Sequence, residues 1–260
     1  MKNSTNNVYL KSNHFVIIPM KKYIVLFLLV FLNSCQVTET ITIKSDGSGT
    51  IALTRLRDEQ SYMQLAGEKY NSEEKFVDTT YVFSEYISKY AENFVRLPNA
   101  EKEIFNKFKD VKVHIKKSSF EKEFKTTISQ AFDKIEAVAD LYKTEEYADD
   151  VENNYALAAE EHYYSVNYIY DGRVFKRIMK ITDALELKKQ QDMIEGYKTQ
   201  LSKFKITQPY MLKYHFPRKI MTVSNTNAKI SEDKKSLELQ FLIMDCLQNP
   251  ESTNLEVILE

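Results

Sequence analysis

Two cysteines, Cys35 and Cys246, carry the most obvious chemistry in this sequence, because a thiol can form a disulfide or act as a nucleophile. In an oxidising compartment the two could be joined to each other. Cys35 has the more distinctive setting, since it closes the apolar stretch LFLLVFLNSC and the chain turns polar directly after it. Its chemistry therefore depends on what the preceding segment does.

The segment before Cys35 has the features of a secretory signal. Lys21 and Lys22 precede ten uncharged residues, YIVLFLLVFL, whereas a membrane-spanning helix needs about 20 apolar residues. A charged start, a short apolar run and a small residue before the cleavage point are typical of a signal peptide. We predict that residues 20–34 are this signal and that 1–19 are an upstream extension foreign to the native protein. The alternatives are a long charged region in front of the run, an uncleaved anchor, or an ordinary secretory signal with a cysteine nearby by chance.

The tetrapeptide Leu32-Asn33-Ser34-Cys35 resembles the lipobox of bacterial lipoproteins. In that family a small residue precedes the cysteine, the thiol is acylated, and cleavage makes the cysteine the first residue. The resemblance implies cleavage between Ser34 and Cys35, attachment of palmitate or a similar chain at Cys35, and a membrane anchor. Asn33 departs from the small or apolar residue usual at its position. Gln36 stands where inner-membrane retention signals have Asp, so the resemblance implies the outer membrane of the cell envelope. The following residues, VTET, lack the dense acidic cluster that sends some lipoproteins to the cell exterior, which favours the periplasmic face.

An acylated Cys35 would leave Cys246 without an intramolecular disulfide partner. Cys246 ends the apolar stretch SLELQFLIMDC, where a cysteine commonly packs as a small apolar group. We therefore expect a buried structural thiol, with a reactive thiol as the alternative.

Catalytic and metal-binding motifs are missing from the sequence. It contains no HExxH, no GxSxG and no phosphate-binding loop, and the histidines are scattered. The four are His14, His114, His162 and His215. We expect a non-catalytic protein without a metal or cofactor, although an active site could still assemble from dispersed residues.

An acidic stretch lies at residues 143–154, KTEEYADDVENN. Its carboxylates Glu145, Glu146, Asp149 and Asp150 could in principle hold a metal, but runs of charge are usually solvated. We predict a solvated loop.

The charge balance bears on the partner class. The 36 Lys and Arg residues are offset by 37 Asp and Glu, so the attraction that drives non-specific nucleic-acid binding is lacking. With 43% hydrophobic residues the chain should fold, and we predict one domain over residues 35–260.

Two hairpins can be read directly from alternating apolar residues. In the first, Ile41 and Ile43 share a face with Ile51 and Leu53 across a turn at 46–49. In the second, Tyr163–Tyr170 leads into Asp171-Gly172 and Arg173–Lys180 returns. A two-residue turn there predicts three facing pairs on one side, with Arg177 partly buried against a tyrosine ring. The pairs are Tyr168 with Phe175, Tyr164 with Met179, and Arg177 with Val166.

The remaining pattern mixes helices with strands. Helical spacing predicts helices over 83–97, from Pro98 to Phe108 and from about Asp183 to Phe204. Alternation predicts strands at 111–115, 124–128, 210–216, 237–243 and 255–259. The sequence therefore predicts an α+β fold, with one antiparallel sheet built from N-terminal, middle and C-terminal strands and backed by several helices.

The stretch YHFPRKIMTVSNTNAKISEDKKSLELQFLIMD resembles the later strands of LppM-like lipoprotein domains. The family has an α+β fold, and the resemblance implies a lipid-binding role. We therefore expect an envelope lipoprotein that binds lipid or another apolar molecule, or assists envelope assembly. A tethered scaffold for an envelope protein partner and an enzyme with a cryptic site are the alternatives. A closed cavity of several hundred Å³ would favour the lipid-binding lipoprotein. A flat apolar patch would favour the scaffold, and a cleft of titratable groups would favour the enzyme.

Overall fold

A computed structural model describes residues 35–59, 76–153, 163–201 and 208–260. The predicted extension 1–19 and signal peptide 20–34 lie outside these residues. The described chain contains twelve strands in two sheets together with helices, so the predicted α+β class is confirmed. The strands are β1 Cys35–Ile43, β2 Gly49–Asp58, β3 Phe76–Val82, β4 Lys112–Ser118, β5 Glu123–Phe132, β6 Tyr164–Tyr170, β7 Val174–Ile181, β8 Pro209–His215, β9 Ile220–Val223, β10 Lys229–Ile230, β11 Ser236–Leu242 and β12 Leu255–Leu259.

The larger sheet has eight strands in the order β10-β11-β8-β1-β2-β5-β4-β3. The first predicted hairpin forms its centre, with Ile41 opposite Ile51. The expected single antiparallel sheet differs from the structure in two respects. Strands β6, β7, β12 and β9 form a separate four-stranded sheet, and β1 runs parallel to β8. A parallel neighbour is reached by a long crossover, which alternation within one strand does not reveal.

The second hairpin forms, but its predicted register is wrong by two residues. Tyr170 pairs with Phe175, so four residues rather than two lie between the paired strands, and Tyr168 is opposite Arg177. The Asp171 Oδ1 atom accepts hydrogen bonds from the backbone N–H groups of Arg173 and Val174 at 2.9 and 2.7 Å, which holds the wider turn. Because the shift is two, each side chain keeps its predicted face.

The described helices lie between the strands. They are α1 Phe83–Lys89, α2 Ala91–Arg96, α3 Asn99–Lys107, α4 Thr144–Asn153, α5 Ala184–Leu201 and α6 Ile243–Gln248, with 3-10 turns at Ile135–Ala137, Leu141–Lys143 and Pro250–Thr253. The helix predicted over 83–97 is divided at Tyr90, where the backbone leaves the helical region with φ −109° and ψ 35°. Ile243, predicted to extend β11, begins α6 instead.

The prediction of a solvated loop at 143–154 is wrong, because α4 occupies that segment. Thr144, Tyr147, Ala148 and Val151 recur at three and four residues and are buried. The Tyr147 ring lies 5.2 and 5.0 Å from the ring centroids of Phe105 and Phe108. The acidic residues obscured this short apolar stripe, which supplies the packing that stabilises the helix.

One core joins the two sheets. Phe175 of the smaller sheet packs against Tyr214 of β8 and against Phe216, the residue directly after β8, with ring centroids 5.2 and 5.3 Å apart. Helices α1, α3 and α4 pack on one another through Phe83, Phe105 and Tyr147, and these rings share one core with Val113 and Ile128 of the larger sheet. The inner face of the larger sheet is therefore shared between a second sheet and a helical layer.

Gly49 begins β2 at a point where the backbone has no room for a side chain. A Cβ atom there would lie 2.0 Å from the Thr42 carbonyl oxygen and 2.6 Å from Cζ of Phe132. We predict that Gly49→Ala lowers the free energy of unfolding by about 1–3 kcal/mol, because the backbone oxygen cannot move aside. Gly196→Ala is the control, since its Cβ would meet nothing within 4 Å and α5 should gain about 0.5–1 kcal/mol. Urea unfolding followed by tyrosine fluorescence measures both, and equal effects would contradict the steric argument.

Candidate functional site

A row of apolar side chains crosses the inner face of the larger sheet and contains one charged residue, Glu39. The strand registers place in this row Leu239, Leu212, Glu39, Leu53, Ile128, Val113 and Tyr81. Glu39 is 1% exposed. A carboxylate in such surroundings needs a partner, because an isolated buried charge is very costly.

Arg177 of β7 supplies the partner from the opposite sheet and is itself 1% exposed. Its Nη2 atom lies 3.1 Å from Glu39 Oε2, and its Nε atom lies 3.2 Å from Oε1. Its Nη1 atom donates to the Thr253 hydroxyl at 2.7 Å and to the Thr253 carbonyl oxygen at 3.2 Å. Arg177 was expected to be partly buried against a tyrosine ring. Instead it is fully buried in an ion pair that connects the two sheets, with the Tyr210 ring 5.9 Å away.

Three tyrosine hydroxyls complete the hydrogen bonding of Glu39. Tyr214 donates to Oε1 at 2.5 Å, and Tyr142 and Tyr210 donate to Oε2 at 2.6 and 3.0 Å. The Tyr210 hydroxyl also accepts from Arg177 at 2.8 Å, and it contacts the Tyr142 hydroxyl. We refer to Glu39, Arg177, Tyr142, Tyr210, Tyr214 and Thr253 as the inter-sheet cluster. Its members satisfy one another, as a buried polar network must.

The electrostatics of the cluster favour a charged pair surrounded by neutral tyrosines. Burial alone would raise the pKa of Glu39, but the Arg177 guanidinium and hydrogen bonds from Arg177, Tyr142 and Tyr214 hold this pKa below its usual value. Burial raises the pKa of Tyr142 and Tyr214 well above the usual value, and the Glu39 charge raises it further. The tyrosines therefore remain protonated donors.

An apolar cavity of about 160 Å³ adjoins the cluster beneath α6. Tyr142, Tyr210 and Thr253 belong to both the cluster and the cavity wall. The other lining residues are Val37, Arg55, Tyr164, Met179, Ile243, Cys246, Leu247 and Pro250. The cavity therefore combines apolar walls with a few fixed hydroxyls, the usual composition of a small-molecule site.

A larger hollow of about 700 Å³ lies among the turns at the other end of β1, beside Asp46, Asp171 and Arg218. Although larger, it is formed mostly by exposed polar turn residues, with Ile135 as its one fully buried apolar wall residue. The cavity beneath α6 is the better candidate because its walls are apolar and adjoin buried polar groups.

Cys246 lies in α6 rather than in a strand, is partly buried, and lines the cavity. Burial raises the pKa of its thiol to about 12, so the thiol stays protonated at neutral pH. This agrees with the expected structural cysteine and disfavours the reactive alternative.

The other predicted site residues do not come together. Cys35 is the first residue of β1, and Ser34, His14 and His162 lie outside the described residues. His114 contacts Asp78 at 2.8 Å, while His215 contacts the Ser236 hydroxyl at 2.8 Å on a different strand.

Within the described ranges, no three His, Cys, Asp or Glu side chains are placed to share a metal ion. In α4, Glu145 pairs with Arg55.

Sequence reasoning missed Glu39, although its position carried a signal. Glu39 lies two and four residues before Ile41 and Ile43, so its side chain is on the same face of β1, the face that was assigned as buried. Arg177 was likewise assigned to the inner face of its hairpin. Two opposite charges at inward positions of separate hairpins would have predicted the ion pair, had the hairpins been known to face each other.

Among the described residues, no helix combines the length and the apolar character needed to cross a membrane.

The ion pair yields a prediction about stability. Glu39→Gln leaves Arg177 charged and without its counter-ion, and should lower the free energy of unfolding by about 3–5 kcal/mol. The double variant Glu39→Leu/Arg177→Met removes both charges and should cost less than Glu39→Gln alone. Glu238→Gln is the matched control, because its pair with Lys213 at 3.0 Å is about half exposed and should contribute at most about 1 kcal/mol. Urea unfolding at pH 7 measures all four proteins, and a double variant that loses as much stability as Glu39→Gln, or more, would contradict the coupling.

A second prediction concerns pH. Because the folded state lowers the pKa of Glu39, its stabilising contribution is present above the unfolded glutamate pKa of about 4.3 and is lost as pH falls through the lower folded value. The difference in unfolding free energy between wild type and Glu39→Gln should therefore shrink as pH drops below about 4.3. Unfolding curves from pH 7 to pH 3 test this, and a gap that stays constant throughout would show that Glu39 is not ionised in the fold.

Comparisons with known proteins give little guidance. No family model matches the chain, and no curated protein matches it significantly. Among solved structures, the chain is similar to the folded domain of LppM from Mycobacterium tuberculosis, determined by NMR. The similarity covers 88% of this chain and 90% of that one, with a TM-score of 0.36 and 7% sequence identity. At this level the likeness carries no weight for family or function.

Proposed function

We propose that this protein is a non-catalytic, membrane-anchored lipoprotein of the bacterial cell envelope that binds part of an apolar molecule in the cavity beneath α6. The observation that carries the binding proposal is the cavity itself, with apolar walls and the tyrosine hydroxyls of the inter-sheet cluster at one side. The anchor rests on the lipobox sequence at Leu32 to Cys35. The choice of the outer membrane rests on Gln36, and that of its periplasmic face on the lack of an acidic cluster in the following VTET.

The size of the cavity limits the ligand. Its volume of about 160 Å³ is close to that of a dry cavity of about 150 Å³ that binds benzene, and is below the range of about 300–1,000 Å³ usual for whole small molecules. The sequence analysis required a closed cavity of several hundred Å³ for lipid binding, and this cavity is smaller than that. A whole lipid therefore does not fit. The cavity suits a ring or a short stretch of acyl chain, with the rest of the molecule outside.

The position of the cavity suits a lipid. Val37, which lines the cavity, lies two residues after Cys35 in β1. Two residues of a strand span about 7 Å, so an anchor at Cys35 would hold the cavity close to the bilayer. An acyl chain from that bilayer is the nearest apolar group of suitable width.

The inter-sheet cluster supports a non-catalytic role. A general acid or base must have a proton-transferring atom available to substrate. Both Glu39 oxygens already accept hydrogen bonds from Arg177 and tyrosines, and the high tyrosine pKa values oppose proton loss. The cluster therefore serves to fix the cavity wall.

Replacing Cys246 by a larger side chain tests the proposal. Full-length protein is purified from bacterial membranes, and co-purifying lipids are identified by mass spectrometry. Cys246→Phe should fill much of the cavity and reduce lipid occupancy about tenfold or more, a loss of about 1.4 kcal/mol in binding. Cys246→Ala is the control, because it leaves the cavity open and should retain lipid.

The anchor is tested in the same cells with an alkyne-bearing palmitate analogue. Wild type should be labelled, while Cys35→Ser should be unlabelled and absent from the membrane fraction. Equal lipid recovery from Cys246→Phe, Cys246→Ala and wild type, with all three melting at similar temperatures, would refute the cavity as the site. Recovery of one reproducible protein and no lipid would favour the tethered scaffold.

A further inference from the structure

Two phenylalanines are exposed at one end of the larger sheet. Phe120 is 95% exposed in the loop between β4 and β5, and Phe76 is 67% exposed at the start of the edge strand β3. They are neighbours, because Phe76 pairs with Ser118, the last residue of β4. We define Phe76, Phe120 and the lysines of residues 116–125 as the aromatic tip.

The aromatic tip lies at the same end of the sheet as Cys35. Cys35 pairs with Arg57, Arg57 with Phe124, and Phe124 with Lys117. Neighbouring strands are about 4.8 Å apart, so the three spacings between β1 and β4 place Lys117 roughly 15 Å from Cys35. The four-residue loop that carries Phe120 begins one pair beyond this row, between Ser118 and Glu123.

The loop is ordered locally without help from the Phe120 ring. The Ser118 hydroxyl accepts a hydrogen bond from the Glu121 backbone N–H at 3.1 Å, and Lys122 adopts φ 56°. These are ordinary turn interactions that need no aromatic residue. Since 95% of Phe120 remains in water, the ring has no packing role within the described fold.

The charge around the ring is positive. Residues 116–125 read KKSSFEKEFK, with four lysines against two glutamates, a net charge of +2. Basic side chains around an exposed apolar group are the pattern of a surface that lies in the headgroup region of an anionic bilayer. A protein partner would not require the tip to be so close to the anchor.

We propose that the aromatic tip inserts into the headgroup region of the bilayer that holds the Cys35 lipid, with Phe120 at its centre. The proposal rests on the proposed function only for the anchor at Cys35. The tip is a second, non-covalent contact, and it sets the orientation of the domain on the membrane. The bilayer is the occupant because the chain meets its anchor at this end and the local charge complements phosphatidylglycerol.

The sequence provides a clean probe, because it contains no tryptophan. Phe120→Trp places one tryptophan at the tip of the full-length lipidated protein, which is reconstituted into vesicles of phosphatidylethanolamine and phosphatidylglycerol. Ile230→Trp is the matched control. Ile230 is 44% exposed on β10 and lies in the row of Ile41, six residues or about 20 Å along β1 from Cys35.

Vesicles that contain acyl-brominated lipids should quench roughly half or more of the Phe120→Trp emission, which should also shift to the blue, since an interfacial tryptophan lies at headgroup level. Ile230→Trp should be neither quenched nor shifted. Equal, unquenched emission from both variants in floating vesicles would overturn the tip contact and leave the anchor intact. A blue shift without lipid quenching would indicate a protein or a second copy on the tip and would also overturn it. A chain that carries no palmitate label and does not float would overturn anchor and tip together.

Discussion

The ion pair between Glu39 and Arg177 connects the two sheets of this protein, and the arrangement of the core depends on it. Each charge is 1% exposed, so neither can be hydrated if the other is misplaced. A buried pair gains little net stability over apolar residues of similar volume, but separating its members is costly. The pair therefore favours the sheet alignment in which Glu39 and Arg177 meet over every alignment in which they do not.

The same alignment shapes the cavity. Tyr142 and Tyr210 are held by their hydrogen bonds to Glu39, and their rings form part of the cavity wall beneath α6. The buried Glu39 carboxylate thus fixes the positions of two aromatic rings in the wall of the cavity. The Cys35 end of the larger sheet carries both this cavity and the exposed Phe120, whereas polar turns occupy the other end. The two ends of the larger sheet therefore differ in character, and the proposed anchor at Cys35 lies at the end with the cavity and Phe120.

Local pattern predicted most individual elements of the described chain. Alternation located β1, β2, β4, β5 and the hairpin strands, because a strand half-buried on a core shows a period of two. Two errors have local causes. The hairpin register slipped by two because the Asp171 carboxylate stabilises a wider turn than Asp-Gly usually forms. The helix α4 was missed because five acidic residues surround its short buried stripe.

By itself, the sequence determined the location of most strands and helices and the inward face of each hairpin, and it set the chemistry expected at Cys35. These depend on residues close together in the chain, whose periodicity and spacing can be read directly. Only the tertiary structure decided that β1 runs beside β8, that the strands divide into two sheets, and that Glu39 meets Arg177 across 138 residues of chain. The physical reason is that a buried charge is tolerated only through its partner, and the partner's identity depends on how distant elements pack, which no local pattern encodes.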